Sequence, residues 1–330
     1  MVKIAIDVMG SDLGPKELLK GVRQFKEKYP NVELFVVGKL DEIEEAKDIA
    51  TLVEASDVMG MEDGALEVMR KKNTSMLKAV ELVKEGKCDG VVSAGSTGAF
   101  LTASTIRLKL IEGISRAALI SPFPRYDGKA VTILDIGANN ENTPHQIYQF
   151  AVMGALYSSK ILNAHKPKLY LLSNGSEEKK GSPLIKEAHQ LLKEHNFPNF
   201  MGNIEARDVL TSEADVVVTG GFEGNILLKS IEGTASMMNS MIKNAFKKSA
   251  ISKIGYLFAK SGFDEMREKL DYRRYGGAML VGLNNVVVKA HGSSNAYAFF
   301  NAIRVAKEMV EQDVISLLKE ELKNGIKEEN

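Results

Sequence analysis

The feature that most restricts this chain is an alternation. Short runs rich in Val and Ile (KIAIDV, VELFVVG, CDGVVSA, RAALISP, AVTILDIG, KLYLLSN, ADVVVTGG and NVVVKAHG) are separated by longer amphipathic stretches such as PKELLKGVRQFKEKY and SMLKAVELVKEGK. A short β-branched run suits a strand buried on both faces, and a helix-period stretch between two such runs suits the crossover of a βαβ unit. The pattern predicts an α/β fold with a mainly parallel sheet covered on both sides. One stretch breaks it. From Asn225 to about Asp271, helical sequence follows helical sequence with no strand between. A crossover needs no such length, so residues 226 to 271 are expected to form a helical arm inserted in one α/β domain spanning 1 to 330.

Five of the strand-like runs end in small, polar, Gly-bearing turns: DVMGSDLGP, SAGSTGAF, DIGANNENTP, TGGFEGN and AHGSSNA. In a parallel sheet such turns lie along one carboxyl edge, where open α/β folds bind ligands. Each offers backbone N–H groups and a helix N-terminus, and the Ser and Thr residues add hydroxyl donors. A single turn of this kind is only a helix cap. Five together point to a phosphate-bearing or anionic ligand.

Familiar signatures are missing. No G-x-x-x-x-G-K-S/T run exists, so the chain is not a P-loop NTPase, and no G-x-G-x-x-G follows the first strand. AGSTG lacks the G-x-S-x-G spacing of a nucleophile elbow, which argues against Ser96 as a hydrolase nucleophile. His145, His165, His189, His195 and His291 show no ligand spacing. Asp7, Asp12 and Asp135 near strand ends have the chemistry for Mg²⁺ but equally that of turn caps, and no metal is expected. Cys88 in GKCDG reads as a structural thiol. His291, the one histidine in a ligand-edge turn, either ties that turn down or polarises a substrate group.

Composition narrows the class further. Lys+Arg and Asp+Glu number 43 each, so no net charge drives non-specific nucleic-acid binding. One cysteine excludes an internal disulfide and fits a reducing compartment. The N-terminus has no secretory pattern and no run of about 18 apolar residues occurs. A cytoplasmic protein is expected.

Taken in order, DVMGSDLGP, SAGSTGAFL, DIGAN, QFAVMG, SNGSEEKKG, GFEGN, YGGAMLVGLN and KAHGSSN resemble the phosphate acyltransferases of bacterial phospholipid synthesis, from Asp7 to about Asn301. Ser11, Glu141, Thr143 and Met279 stand where that family commonly has other residues. The resemblance implies a Rossmann-like three-layer sandwich similar to phosphotransacetylases and isopropylmalate dehydrogenases. It implies transfer of a long-chain fatty acyl group from the acyl carrier protein thioester to inorganic phosphate, giving acyl phosphate. It also implies a homodimer, peripheral attachment to the inner face of the cell membrane, and hand-off of the product to a membrane glycerol-3-phosphate acyltransferase. It implies no cofactor and no nucleic-acid partner. A phosphotransacetylase or phosphotransbutyrylase-type enzyme using acyl-CoA is the alternative.

Phosphate is itself the nucleophile in such a reaction, so no covalent enzyme intermediate is needed. The site must hold its charge, place its oxygen at the carbonyl and stabilise the developing oxyanion. Lys180 matches a lysine of the family's polar loop and is expected to hold phosphate or the oxyanion. Asn225, at the start of the long helix, is expected to donate to the thioester or to phosphate, with a plain N-cap as its rival reading. His291 completes the catalytic candidates. Ser96, Thr97, Gly98, Asn139, Gly221, Gly224, Ser293 and Ser294 are the phosphate and substrate-binding candidates. Asp7 and Asp12 repel phosphate and are expected to order the MGSDLG turn. On the arm, Ile254, Leu257, Phe258 and Phe263 beside Lys247, Lys248, Lys253 and Lys260 suit either a dimer-core helix or an anionic lipid surface, and the resemblance implies the lipid surface. Arg267, Lys269, Arg273 and Arg274 are expected to dock the acidic carrier protein.

Overall fold

The computed structural model of the chain describes residues 1–269, 274 and 276–326. Its strands alternate as a doubly covered sheet requires. In β1 (Lys3–Asp7), Ile4 and Ile6 enter one apolar layer and Ala5 the other. Among the described residues, eleven strands form one sheet. Its order is β3 (Thr51–Glu54), β2 (Glu33–Gly38), β1, β4 (Gly90–Ser93), β11 (Val286–Lys289), β10 (Ala278–Val281), β5 (Ala118–Pro124), β6 (Ala130–Leu134), β9 (Val216–Val218), β7 (Leu169–Ser173) and β8 (Phe200–Glu205). The helices are α1 (Pro15–Lys28), α2 (Leu40–Ile43), α3 (Glu67–Arg70), α4 (Ser75–Lys84), α5 (Thr97–Leu108), α6 (Pro144–Ile161), α7 (Pro183–Glu194), α8 (Gly221–Lys247), α9 (Ala250–Lys269), α10 (Ala296–Glu311) and α11 (Val314–Ile326). Phe25 of α1, Phe150 of α6 and Phe299 of α10 fill the first layer; Leu77 of α4 and Phe100 of α5 fill the second.

The eight strand-like runs all become strands. The pattern misses β3, β8 and β10, for identifiable reasons. β3 and β8 are the outermost strands, so neither carries a continuous apolar run. β10 is only four residues long, and it follows two positive-φ glycines that mask it as a turn.

The sheet is mainly parallel, as expected, but its strands do not all run in one direction. β3, β2, β1, β4 and β11 run parallel. β10 is antiparallel to both of its neighbours, and β5 is antiparallel to β6. β6, β9, β7 and β8 are again mutually parallel, but opposite in sense to the first block. The five glycine turns therefore do not share one carboxyl edge. Those after β1, β4 and β11 leave one margin of the sheet ribbon; those after β6 and β9 leave the other.

Helix starts follow local chemistry. Pro15, Pro144 and Pro183 occupy first positions, where a missing N–H costs nothing. Thr143 and Gln146 form a capping box on α6, and Ser182 and Asn295 cap α7 and α10. Helices α8 and α9 follow one another between β9 and β10 and form the expected arm. Phe246, Tyr256 and Phe263 join them, with ring centroids 5.1 to 5.9 Å apart. Among the described residues no helix is long and apolar enough to cross a membrane.

Candidate functional site

The first half of the site is built on Asp135, fully buried at the end of β6. Its carboxylate accepts from the N–H groups of Leu119, Gly137, Ala138 and Asn139 at 3.0, 3.1, 2.9 and 2.9 Å, and from Asn139 Nδ2 at 2.7 Å. Burial lifts its pKa above the ordinary carboxylate range, and those donors oppose the rise. The result is a tight turn, 135 to 139, wrapped on one carboxylate. The second Asn139 Nδ2 hydrogen goes to Ala117 O at 2.8 Å. Both amide hydrogens of Asn139 are thus spent on the turn, which corrects its expected role as a ligand donor.

The amino end of α8 sits directly against this turn. A Cβ on Gly224 would overlap the Asp135 carbonyl oxygen, and one on Gly221 would overlap the Asn139 carbonyl oxygen and stand 2.5 Å from Asp135 Oδ2. The Gly221 N–H already donates to Asn142 Oδ1 at 3.0 Å. These two glycines therefore permit close approach of helix to turn; they do not line a ligand surface. The helix also begins four residues before Asn225, so Asn225 is not its N-cap. Its side chain lies over Gly137, where an added Cβ would come within 3.3 Å of it. Asn225 is exposed, and its amide has no hydrogen-bond partner among the described residues.

Three helix N-termini meet here. Asn142, bound to Gly221, immediately precedes the cap of α6. Leu184, in the first turn of α7, would stand 3.5 Å from a Cβ on Gly220, the residue that opens α8. α6 and α7 carry side-chain caps, whereas α8 has none. The first N–H groups of a helix have no intrahelical acceptor, and with Gly221 satisfied those of Phe222 and Glu223 remain. Their partial positive charge favours an anion. Lys180 lies two residues before the α7 cap, in a loop tied by Asn203 Nδ2 to Glu177 O at 2.9 Å. Its ammonium is exposed and unpaired among the described residues.

The second half gathers the turns after β1, β4 and β11. Ser96 stands at the N-cap of α5 without accepting a cap hydrogen bond, and Thr97 and Gly98 are exposed. His291 Nδ1 accepts from the Ser293 N–H at 3.2 Å and lies 2.8 Å from Ser293 Oγ. Burial lowers the His291 pKa, with Glu232 pulling the other way from 3.8 Å. His291 is thus bonded into its own turn through Nδ1, with Nε2 facing Glu232. Ser294 is buried and donates its N–H to His291 O at 3.0 Å. Asp12 N–H donates to Gly292 O at 2.9 Å, joining the first and last turns. Asp7, 1% exposed, accepts from Met9 N at 3.1 Å and Ser93 Oγ at 2.7 Å.

Helix α8 links the halves. Asn225, Lys229 and Glu232 repeat at i, i+4 and i+7, one helix face. Asn225 meets the 135–139 turn, and Glu232, about 10 Å along at 1.5 Å per residue, meets His291. Fold topology separates the two groups of turns, and one helix face reconnects them.

Further out, the α9 face exposes Ile254, Leu257 and Phe258 by 55%, 69% and 84%. Phe263 differs from its expected place: it meets Phe246 edge-on and stacks on Tyr256 between the two helices. Arg274 is exposed, and its carbonyl accepts from Arg304 Nη2 at 2.8 Å. Arg273, and the side chains of Arg267 and Lys269, lie outside the described residues. Sequence reasoning gave no role to Asn142, Ser93 or Lys289. Lys289 left a readable signal, a lysine closing the apolar run NVVVKAHG; Asn142 and Ser93 look like ordinary turn and strand residues until their contacts are seen.

A model of the fatty acid synthesis protein family matches residues 2–317. The phosphate acyltransferase of Lysinibacillus sphaericus is 44% identical over 327 residues, covering 98% of this chain and 99% of that protein. A phosphotransacetylase from Streptococcus pyogenes superposes with a TM-score of 0.62 at 18% identity, covering 94% of each chain. A branched-chain phosphotransacylase from Enterococcus faecalis gives 0.60 at 18% identity, covering 94% of this chain and 99% of its own. At that identity the two structures establish a shared fold.

Proposed function

The chain belongs to the phosphate acyltransferases of the fatty acid synthesis protein family, and from that premise we propose that it moves a long-chain fatty acyl group from an acyl carrier protein thioester to inorganic phosphate. The observation that carries this reading is the corner where α6, α7 and α8 begin. Uncapped N–H groups of Phe222 and Glu223 and the unpartnered Asn225 amide stand at one turn, and the unpaired Lys180 precedes the cap of α7, whose Leu184 packs beside Gly220. That set suits a dianion and the oxyanion that forms beside it.

A phosphate oxygen attacks the thioester carbonyl carbon, Lys180 balances the phosphate charge, and the Asn225 amide donates to the carbonyl oxygen as it becomes an oxyanion. Collapse breaks the C–S bond. The proton of hydrogen phosphate ends on the departing thiolate, giving acyl phosphate and free carrier protein. No enzyme nucleophile intervenes. The one thiol, Cys88, is buried, and burial pushes its pKa up to about 12, leaving it inert. Ser96, Thr97 and Ser293, across α8, bind the donor's polar arm.

The arm gives the enzyme its surface. Exposed Ile254, Leu257 and Phe258 lie among Lys247, Lys248, Lys253 and Lys260, a pattern suited to shallow contact with anionic lipid. Acyl phosphate then passes to a membrane glycerol-3-phosphate acyltransferase. Arg267, Lys269, Arg273 and Arg274 form the carrier dock, and the working unit is a homodimer in the cytoplasm.

The deciding experiment measures free thiol released from palmitoyl-acyl carrier protein with and without phosphate, with hydroxylamine trapping of acyl phosphate. Phosphate-dependent release is expected. Release from palmitoyl-CoA at equal or higher efficiency would make the donor acyl-CoA instead. No phosphate-dependent release from either donor would overturn the reading.

A further inference from the structure

The ends of β1, β4 and β11 place Asp7, Ser93 and Lys289 in register on three neighbouring parallel strands. Such neighbours are about 4.8 Å apart and share a face, so the three side chains form one row beneath the second half of the site. They are 1%, 0% and 5% exposed. A carboxylate, a hydroxyl and an ammonium occupy positions where a strand in a sheet covered on both faces ordinarily carries Val or Ile.

The row is wired to two turns. Ser93 Oγ donates to Asp7 Oδ2 at 2.7 Å and accepts from the Gly95 N–H at 3.1 Å, pinning the residue just before Ser96 and Thr97. At the other end Lys289 Nζ donates to Ala290 O, in the turn that carries His291 and Ser293. An ammonium has three donors. Among the described residues Lys289 makes no other hydrogen bond and no ion pair. A buried cation held this loosely is costly, so stability alone does not account for it.

We propose that Lys289 is a positioning residue for acyl transfer: its ammonium, held on the Ala290 carbonyl in register with the bonded Ser93–Asp7 pair, fixes the 290–294 turn against the 93–98 turn at the separation in which their donors meet one ligand. The inference rests on the acyl-transfer reading above. Burial lowers the Lys289 pKa to about 8, against the attraction of Asp7 and Asp12. The other charged or titratable groups facing it are Lys229 on α8 and His291 on its own turn. Above about pH 8 Lys289 loses its charge, and its attraction to Asp7 and Asp12 ends.

Lys289→Met keeps the volume and removes the charge. The expected result at neutral pH is a loss of turnover of about tenfold, and disappearance of the wild-type fall in rate as pH rises through about 8. Hydrogen exchange should speed up about tenfold in peptides covering 93–98 and 290–294 and stay unchanged across 135–143. Should that variant fail to fold, Asp7→Asn with Lys289→Met removes both charges and should show the same losses. A wild-type pH profile with wild-type exchange in either variant overturns the proposal. Wild-type protein with no phosphate-dependent turnover defeats the acyl-transfer reading, and the exchange comparison then still decides whether Lys289 holds the turns.

Discussion

Replacing Gly224 with Ala tests the site at its tightest point. The added Cβ would overlap the Asp135 carbonyl oxygen and come 2.9 Å from its carbon and 3.0 Å from Thr219 Cγ2. Non-bonded heavy atoms rest about 3.5 Å or more apart, so the start of α8 must move well over ~1 Å from the 135–139 turn. That shift stretches the Gly221 to Asn142 hydrogen bond from 3.0 Å to beyond hydrogen-bonding range. It also carries Asn225, the next residue, away from the phosphate corner. Ala in a helix gains about 1 kcal/mol over Gly, whereas overpacking costs about 1–3 kcal/mol. The net destabilisation is therefore up to about 2 kcal/mol, at most a few degrees in Tm for a chain of this size. The kinetic effect is larger, because a displacement of about 1 Å in a positioned group costs on the order of 100-fold. Thermal unfolding and phosphate-dependent thiol release measure both. Gly233→Ala in the same helix is the control: nothing lies within 4 Å of its added Cβ, so stability should rise by up to about 1 kcal/mol with activity unchanged. If Gly224→Ala keeps turnover and phosphate KM within about twofold of wild type, the site has been put in the wrong corner.

Other consequences are simpler to check. Cys88, its pKa raised to about 12, should ignore a thiol reagent in the folded protein and react once unfolded, and Cys88→Ala should keep full turnover; rapid labelling of the native protein would contradict its burial. His291 has a pKa lowered by burial, so between that folded value and the ordinary value near 6.5 the unfolded chain binds more protons and stability rises with pH. Acidifying from about pH 7.5 to 5 should therefore lower the wild-type Tm more than that of His291→Gln, and parallel curves would show that His291 does not contribute. On the arm, Leu257→Asp with Phe258→Asp should cut co-sedimentation with anionic vesicles about tenfold or more while leaving turnover of a soluble short-chain donor unchanged; undiminished vesicle binding would take lipid contact away from this face.

Particular residues show how much of this was legible beforehand. The eight strand runs could be read because each carries its burial in its own composition, as the split of Ile4 and Ile6 from Ala5 between two layers illustrates. β3 and β8 escaped because outermost strands carry no continuous apolar run. Asn139 and Asn225 looked equivalent as polar residues beside glycines. Only their contacts separate a spent amide from a free one. Phe263 looked like its neighbours Leu257 and Phe258, yet its partners Phe246 and Tyr256 lie elsewhere on the arm.

By itself the sequence determined the layers, the arm and the places where glycine turns open helices, since each depends on residues within one or two turns of one another. The tertiary structure decided that the strand direction reverses between β11 and β6, which sends the turns to two margins of the sheet. It also decided that one face of α8 rejoins them, and that Asp7, Ser93 and Lys289, as many as 282 residues apart, share one buried row. Ladder direction and long-range register are set by which strands find each other, a choice made by the packing of the whole chain that no local run of residues records.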